Sequence, residues 1–231
     1  MKIGIIGAME IEVTRLKELM SNKQIITKAG MDFVEGMLMD KPVVIVRSGI
    51  GKVNAAVCAQ ILVDVFNVSV IFNTGIAGGI ATDINIGDIV ISKDVLHHDM
   101  DATGFGYEVG VIPQMSCSVF QADEELGRLA KDVCAEVLPE VTAYVGRVLT
   151  GDQFISSRDK KEWLLESFDG CCAEMEGAAI AQVAYLNQVP FVIFRAISDK
   201  ADNTACVDYP QFEREAVNHA VALVTGILAK F

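Results

Sequence analysis

PFVIFRAISDKADN, residues 190–203, is an apolar run of strand composition that stops on a carboxylate, Asp199. Upstream of it, AEMEGAAIAQVA at 173–184 sets a second acid, Glu176, before the small residues Gly177, Ala178 and Ala179 of a predicted helix. The amino terminus repeats the arrangement, with an apolar run at 2–6 followed by Glu12 in the first turn of a predicted helix. Ligands of open α/β sheets bind beyond the carboxyl ends of the strands, so three acids placed after three apolar runs are expected to share one crevice. Three acids with almost no basic partner suit a neutral substrate rich in hydroxyls or ring nitrogens.

Working outward, Val- and Ile-rich runs recur at 2–6, 43–47, 68–72, 88–92, 143–149 and 190–197. Segments of helical periodicity at 10–20, 51–66, 122–137, 158–168, 177–187 and 210–229 separate or follow them. That alternation predicts an α/β fold with a largely parallel sheet covered on both faces. Residues 31–39 add a strand joined to the next run by a tight turn at Asp40-Lys41, which makes the sheet mixed. The last helix is expected to open at Tyr209-Pro210, because proline is favoured in a first helical turn. No repeat or linker divides the chain, so residues 1–231 are read as one three-layer α/β/α domain. The segment 97–118 lacks periodicity, and long ordered loops in compact domains are often functional.

Composition narrows the partners. A formal net charge of −12 argues against nucleic acid or an anionic membrane surface. No window holds the apolar run of roughly 18 residues needed to span a bilayer, and the first strand begins at once, without a signal-like segment. Six cysteines without C-x-x-C spacing point to reduced thiols and a cytoplasmic setting. Cys171 and Cys172 are adjacent on a predicted strand, face opposite ways and are not expected to pair.

Each acid also has an ordinary explanation. Glu12 and Glu176 stand at helix starts, where the dipole favours any carboxylate, and Asp199 suits a loop or helix cap. With ~100° per residue, however, Glu12 lies nearer than Glu10 to the stripe of Val13, Leu16, Leu19 and Met20, so Glu12 should lean inward. There it would be placed to deprotonate a water. Glu176, an acceptor-only group, is suited to two vicinal hydroxyls, and a buried Asp199 to giving a proton to a ring nitrogen. The glycines of NTGIAGG at 73–79 would allow a turn that passes close to a bound ring. Gly4-Ile-Ile-Gly7 lacks the dinucleotide fingerprint, Ser48-Gly-Ile-Gly-Lys52 is no P-loop, and His97-His98-Asp99 has no standard metal spacing. Neither a metal nor a cofactor is expected.

GAMEIE at 7–12, SGIGKVNAA at 48–56, NTGIAGG at 73–79, FGYEVGVIP at 105–113, GDQFI at 151–155, EMEGAAIAQVA at 174–184 and RAISDKAD at 195–202 occur in order along nearly the whole chain. Together they resemble the 5′-methylthioadenosine/S-adenosylhomocysteine nucleosidase family. The resemblance implies a nucleoside-phosphorylase-like fold, a homodimer, and hydrolysis of the N-glycosidic bond of 5′-thio-substituted adenosines, with 5′-deoxyadenosine as a related substrate. It also implies roles. Glu12 would activate water, with Arg195 placing it. Asp199, helped by Ser198, would protonate N7 of the leaving adenine, and Glu176 would bind the ribose hydroxyls. Met9 and Met175 would pack on the sugar, Phe154 on the base, and the Ile155 backbone would read the edge of the base. Ile50, Phe212 and the loop residues Phe105, Tyr107 and Pro113 would surround the 5′ group, with loop 97–118 reaching in from the partner subunit. Ile76 stands where the family more often has serine, which removes one possible hydroxyl contact to the ligand, and position 102 is alanine; neither departure replaces any of the three acids. The rival readings are a phosphorylase on the same fold, a futalosine-type nucleosidase and a non-catalytic nucleoside-binding module. For the first, Met9, Glu10 and Glu12 are a poor cradle for phosphate, because their charge would repel it.

Overall fold

The computed structural model describes residues 1–202 and 205–231, with the backbone alone for 206–208, 210 and 211. Among the described residues, ten strands form one mixed sheet. Its parallel core is β1 (Ile3–Gly7), β4 (Lys41–Arg47), β5 (Val70–Gly79) and β10 (Phe191–Asp199). Every residue of β1 and of β10 is buried, which explains why these segments are continuous apolar runs rather than alternating ones. β2 (Ser21–Lys28) and β3 (Met31–Leu38) extend one side as antiparallel strands.

On the other side the sheet closes. β6 (Ile89–His97) pairs with β10 and with β8 (Ala143–Thr150), β8 pairs with β9 (Cys172–Glu174), and β9 returns to the end of β5. With the β5–β10 pairing, these five strands form a ring. β7 (Val119–Gln121) adds a short antiparallel edge to β6.

Helices cover both faces. α1 (Glu10–Leu19), α3 (Glu124–Val137) and α6 (Ala205–Lys230) pack on one apolar cluster, which includes Leu16, Val133 and Leu223. α2 (Lys52–Asp64) and α5 (Gly177–Leu186) pack on the other, through Leu62 and Ile180. α4 (Arg158–Phe168) closes a smaller cluster with Leu164 and Phe168 against Leu149 and Ile155. Asp123 caps α3 by accepting from the Leu126 N–H, which satisfies a donor that has no partner inside the helix.

Three expectations change. Ser21–Lys28 is a strand, although its polar composition hid it; it is an edge, exposed along nearly its whole length. Residues 73–79 do not turn but continue β5, held on one side by the ladder with β10. α6 begins at Ala205, ahead of Tyr209-Pro210, with the Ala205 N–H donating to the Asp202 carbonyl. Cys171 and Cys172 are both free, and only Cys172 is fully buried.

Candidate active site

The carboxyl ends of the strands meet at a cavity of about 510 Å³. Met9, Glu12, Ile50, Ile76, Phe154, Met175, Glu176, Ser198 and Asp199 line it, as do Glu174 and Tyr209. The backbone dictates the first acid. Glu12 is the third residue of α1, and its carboxylate bends back to accept from the Ala8 and Met9 N–H groups at 2.7 and 2.8 Å. Its other oxygen accepts from the Ile76 N–H of β5 at 3.2 Å. Burial pushes the Glu12 carboxyl above its ordinary value, against the opposing influence of Arg195 and these amides. Glu10, on the opposite side of the turn, is exposed and pairs with Lys17 and Arg47, as the helical arc predicts.

Arg195, on β10, is wholly buried beneath the cavity and does not line it. Its guanidinium donates to Glu174, to Asn73 Oδ1 at 2.5 Å and to the Phe194 carbonyl at 3.2 Å. Glu174 ends β9 and is the hub of this layer: it also accepts from the Thr150 hydroxyl and from the Glu176 and Gly177 N–H groups. Glu176 lies above it, accepting from the Gly51 N–H at 2.9 Å, with its other oxygen 4.0 Å from Arg195. Burial, and then the charge of Glu174, push the Glu176 carboxyl up to about 7. At the far end, Asp199 closes β10. One of its oxygens accepts from the Ser198 hydroxyl at 2.8 Å and the other from the Ala201 N–H at 2.9 Å.

Apolar and aromatic groups complete the walls. Phe154 and Tyr209 meet edge to face, with ring centroids 6.0 Å apart. The Tyr209 hydroxyl lies 3.3 Å from Met9 Sδ and 3.1 Å from Glu213 Oε1. Ile155 borders a small recess behind Phe154, next to Gly78 and Asp199. Phe212 is elsewhere, in a separate cleft with Ile86, Gly87 and Lys200, so Tyr209 is the aromatic that α6 supplies to the cavity. Phe105, Tyr107 and Pro113 do not line the cavity either. Phe105 is 87% exposed on the single turn of 3-10 helix, Thr103–Phe105, within loop 97–118. Sequence reasoning assigned no role to Glu174, Asn73, Thr150 or Tyr209. The signal for Glu174 was its place between the buried strand of Cys172 and the acid Glu176. Among the described residues, no group of His, Cys, Asp and Glu is arranged to hold a metal ion. His97 instead faces Gln182 at 3.0 Å, and Asp99 accepts from Lys52 at 2.6 Å.

A model of the phosphorylase superfamily matches residues 2–229. The 5′-methylthioadenosine/S-adenosylhomocysteine nucleosidase of Shewanella halifaxensis is 46% identical over 229 residues, 99% of each chain. The chain belongs to that nucleosidase family. The fold of the family is retained throughout: the crystal structure of the nucleosidase from Neisseria meningitidis, in complex with methylthio-immucillin-A, superposes with a TM-score of 0.95 at 35% identity, covering 100% of this chain and 99% of that one. Futalosine hydrolase of Helicobacter pylori has the same architecture, with a TM-score of 0.94 at 31% identity, covering 100% and 98%. Among the described residues of this nucleosidase-family chain, no helix is long and apolar enough to cross a membrane.

Proposed function

We propose that the protein hydrolyses the N-glycosidic bond of 5′-methylthioadenosine and S-adenosylhomocysteine, and of 5′-deoxyadenosine, releasing adenine and the corresponding ribose. The observation that carries this reading is the convergence of Glu12, Glu176 and Asp199 on one cavity that no cation among the described residues lines, with Arg195 beneath it bound to Glu174. Breaking the bond between C1′ and N9 leaves positive charge on the sugar and an electron pair on the purine. Asp199 gives its proton to N7, and the Ser198 hydroxyl and Ala201 N–H stabilise the carboxylate left behind. Glu12 takes a proton from the water whose oxygen bonds to C1′, so the net change is the addition of water across the glycosidic bond. Glu12 and Glu176 supply negative charge near the cationic sugar, and Glu176 accepts from the ribose hydroxyls. Phosphate finds no comparable reception, since among the described residues none lining the cavity is a cation, Arg195 beneath it is engaged by Glu174, and the acids repel the anion.

The exposed Phe105 and Tyr107 support a homodimer in which loop 97–118 of one protomer closes the 5′ end of the partner's cavity. Apolar rings left in water on a single chain are covered by that assembly. The test of the activity is adenine release from 5′-methylthioadenosine with and without phosphate. Equal rates, with free methylthioribose as the second product, are expected. Strict dependence on phosphate, with a sugar phosphate formed, would identify a phosphorylase instead, and no adenine in either buffer would reject this substrate class.

A further inference from the structure

Glu176 depends for one of its oxygens on a backbone donor, the Gly51 N–H, and the loop that presents this donor is itself held from outside the cavity. Lys52, the next residue, extends its ammonium to Asp99 Oδ1 at 2.6 Å. The other oxygen of Asp99 accepts from the Asp152 N–H at 2.9 Å, and Asp152 Oδ1 accepts from the Lys52 N–H at 2.8 Å. The three residues thus close a cycle of hydrogen bonds across the loops that follow β4, β6 and β8. Asp152 also packs on Gly51 itself: a Cβ built there would lie 3.1 Å from Asp152 Oδ1, and Gly51 has φ +95, a conformation open to glycine. The Asp99 and Lys52 side chains are only 13% and 23% exposed, so water screens their attraction weakly.

We infer that Asp99, Lys52 and Asp152 are positioning residues for the candidate active site, a clasp that fixes the Gly51 N–H on Glu176 and so sets where the ribose acid stands. None of the three lines the cavity. The clasp acts on substrate affinity through the ribose, and Asp99 makes the beginning of loop 97–118 part of it. This inference rests on the reading of Glu176 as the acceptor of ribose hydroxyls.

The experiment compares kcat and KM for 5′-methylthioadenosine and its 3′-deoxy counterpart in the wild-type protein, Asp99→Asn, Lys52→Met and Lys52→Arg. The wild type is expected to show a clearly higher KM for the 3′-deoxy compound. Asp99→Asn and Lys52→Met are each expected to raise KM for the parent about tenfold, the worth of one hydrogen bond to a charged group, with a smaller change in kcat. KM for the 3′-deoxy compound stays nearly constant in both, and Lys52→Arg recovers most of the loss. The two disruptive variants cut the clasp at opposite ends, so a folding defect in one leaves the other to decide. Equal changes for both substrates, or none for either, would overturn the clasp while leaving the ribose acid in place. A wild type indifferent to the 3′ hydroxyl would reject the role of Glu176, and the clasp with it, before any variant is made.

Discussion

Two carboxylates with different surroundings have different tasks in the proposed mechanism. Asp199 holds the Ser198 hydroxyl on one oxygen and the Ala201 N–H on the other, two donors that stabilise the carboxylate once its proton has passed to the base. Asp199→Asn keeps the shape and the acceptor but removes the acid. Turnover is expected to fall by about 10²–10⁴ with KM little changed, measured by adenine release. Glu176 stands in a different setting. Its carboxyl titrates near 7 in the folded protein against an ordinary value of 4.5, so the folded state holds that proton more tightly than the unfolded chain. Its contribution to stability is therefore full below about 4.5 and is lost as pH rises through about 7. Glu176→Gln, which never ionises, is expected to melt at a higher temperature than the wild type at pH 8 and at the same temperature at pH 4, read by thermal denaturation. The inward lean of Glu12 was legible because one helical turn fixes which side faces the core. Glu174 was not legible: its meaning depends on Arg195, which reaches it only once β10 and β9 are folded together.

Among the elements, β5 does most to shape the cavity, and it does so by lacking side chains. A Cβ at Gly75 would stand 2.7 Å from Glu12 Oε1 and 3.0 Å from Arg195 Nη1, so any other residue must move the acid or the guanidinium. Gly75→Ala is expected to lower kcat by about a hundredfold, the scale of an ångström's misplacement, while far-ultraviolet circular dichroism stays native. In the sequence these glycines read as a turn, because glycine is the usual residue of turns. Only the neighbouring strand, β10, shows that a close approach is what they serve. β2 escaped notice because an edge strand with both faces near water carries no apolar pattern. Phe212 was carried over from the family resemblance; in this structure it lines a separate cleft, and Tyr209, one turn earlier on α6, lines the cavity.

Across the whole molecule, the α/β class, the mixed sheet and most helix positions were legible, since buried parallel strands and amphipathic helices carry distinct periods. The closure of β5, β10, β6, β8 and β9 into a ring was not, because it requires pairing between segments far apart in the chain. Assembly is tested at the same scale. If loop 97–118 completes the partner's cavity, Asp199→Asn and Phe105→Ala should each be poorly active alone but regain activity when co-expressed. A mixed dimer pairs one intact set of acids with one intact loop. Failure of the mixture to exceed its parents, with dimers present by light scattering, would show that each protomer works unaided.

Ile76, Glu174 and Asp199 all lie on strands of that ring, and Glu12 is tied to it through the Ile76 amide. In a closed circuit no one strand can swing outward without breaking ladders on both sides. In the proposed mechanism, the dipoles that would face the developing sugar cation are therefore oriented when the chain folds, and they need no rearrangement during each catalytic cycle. Motion that admits substrate and frees adenine falls to the loops above the strand ends, so opening the cavity and aligning its charges are assigned to different parts of the chain.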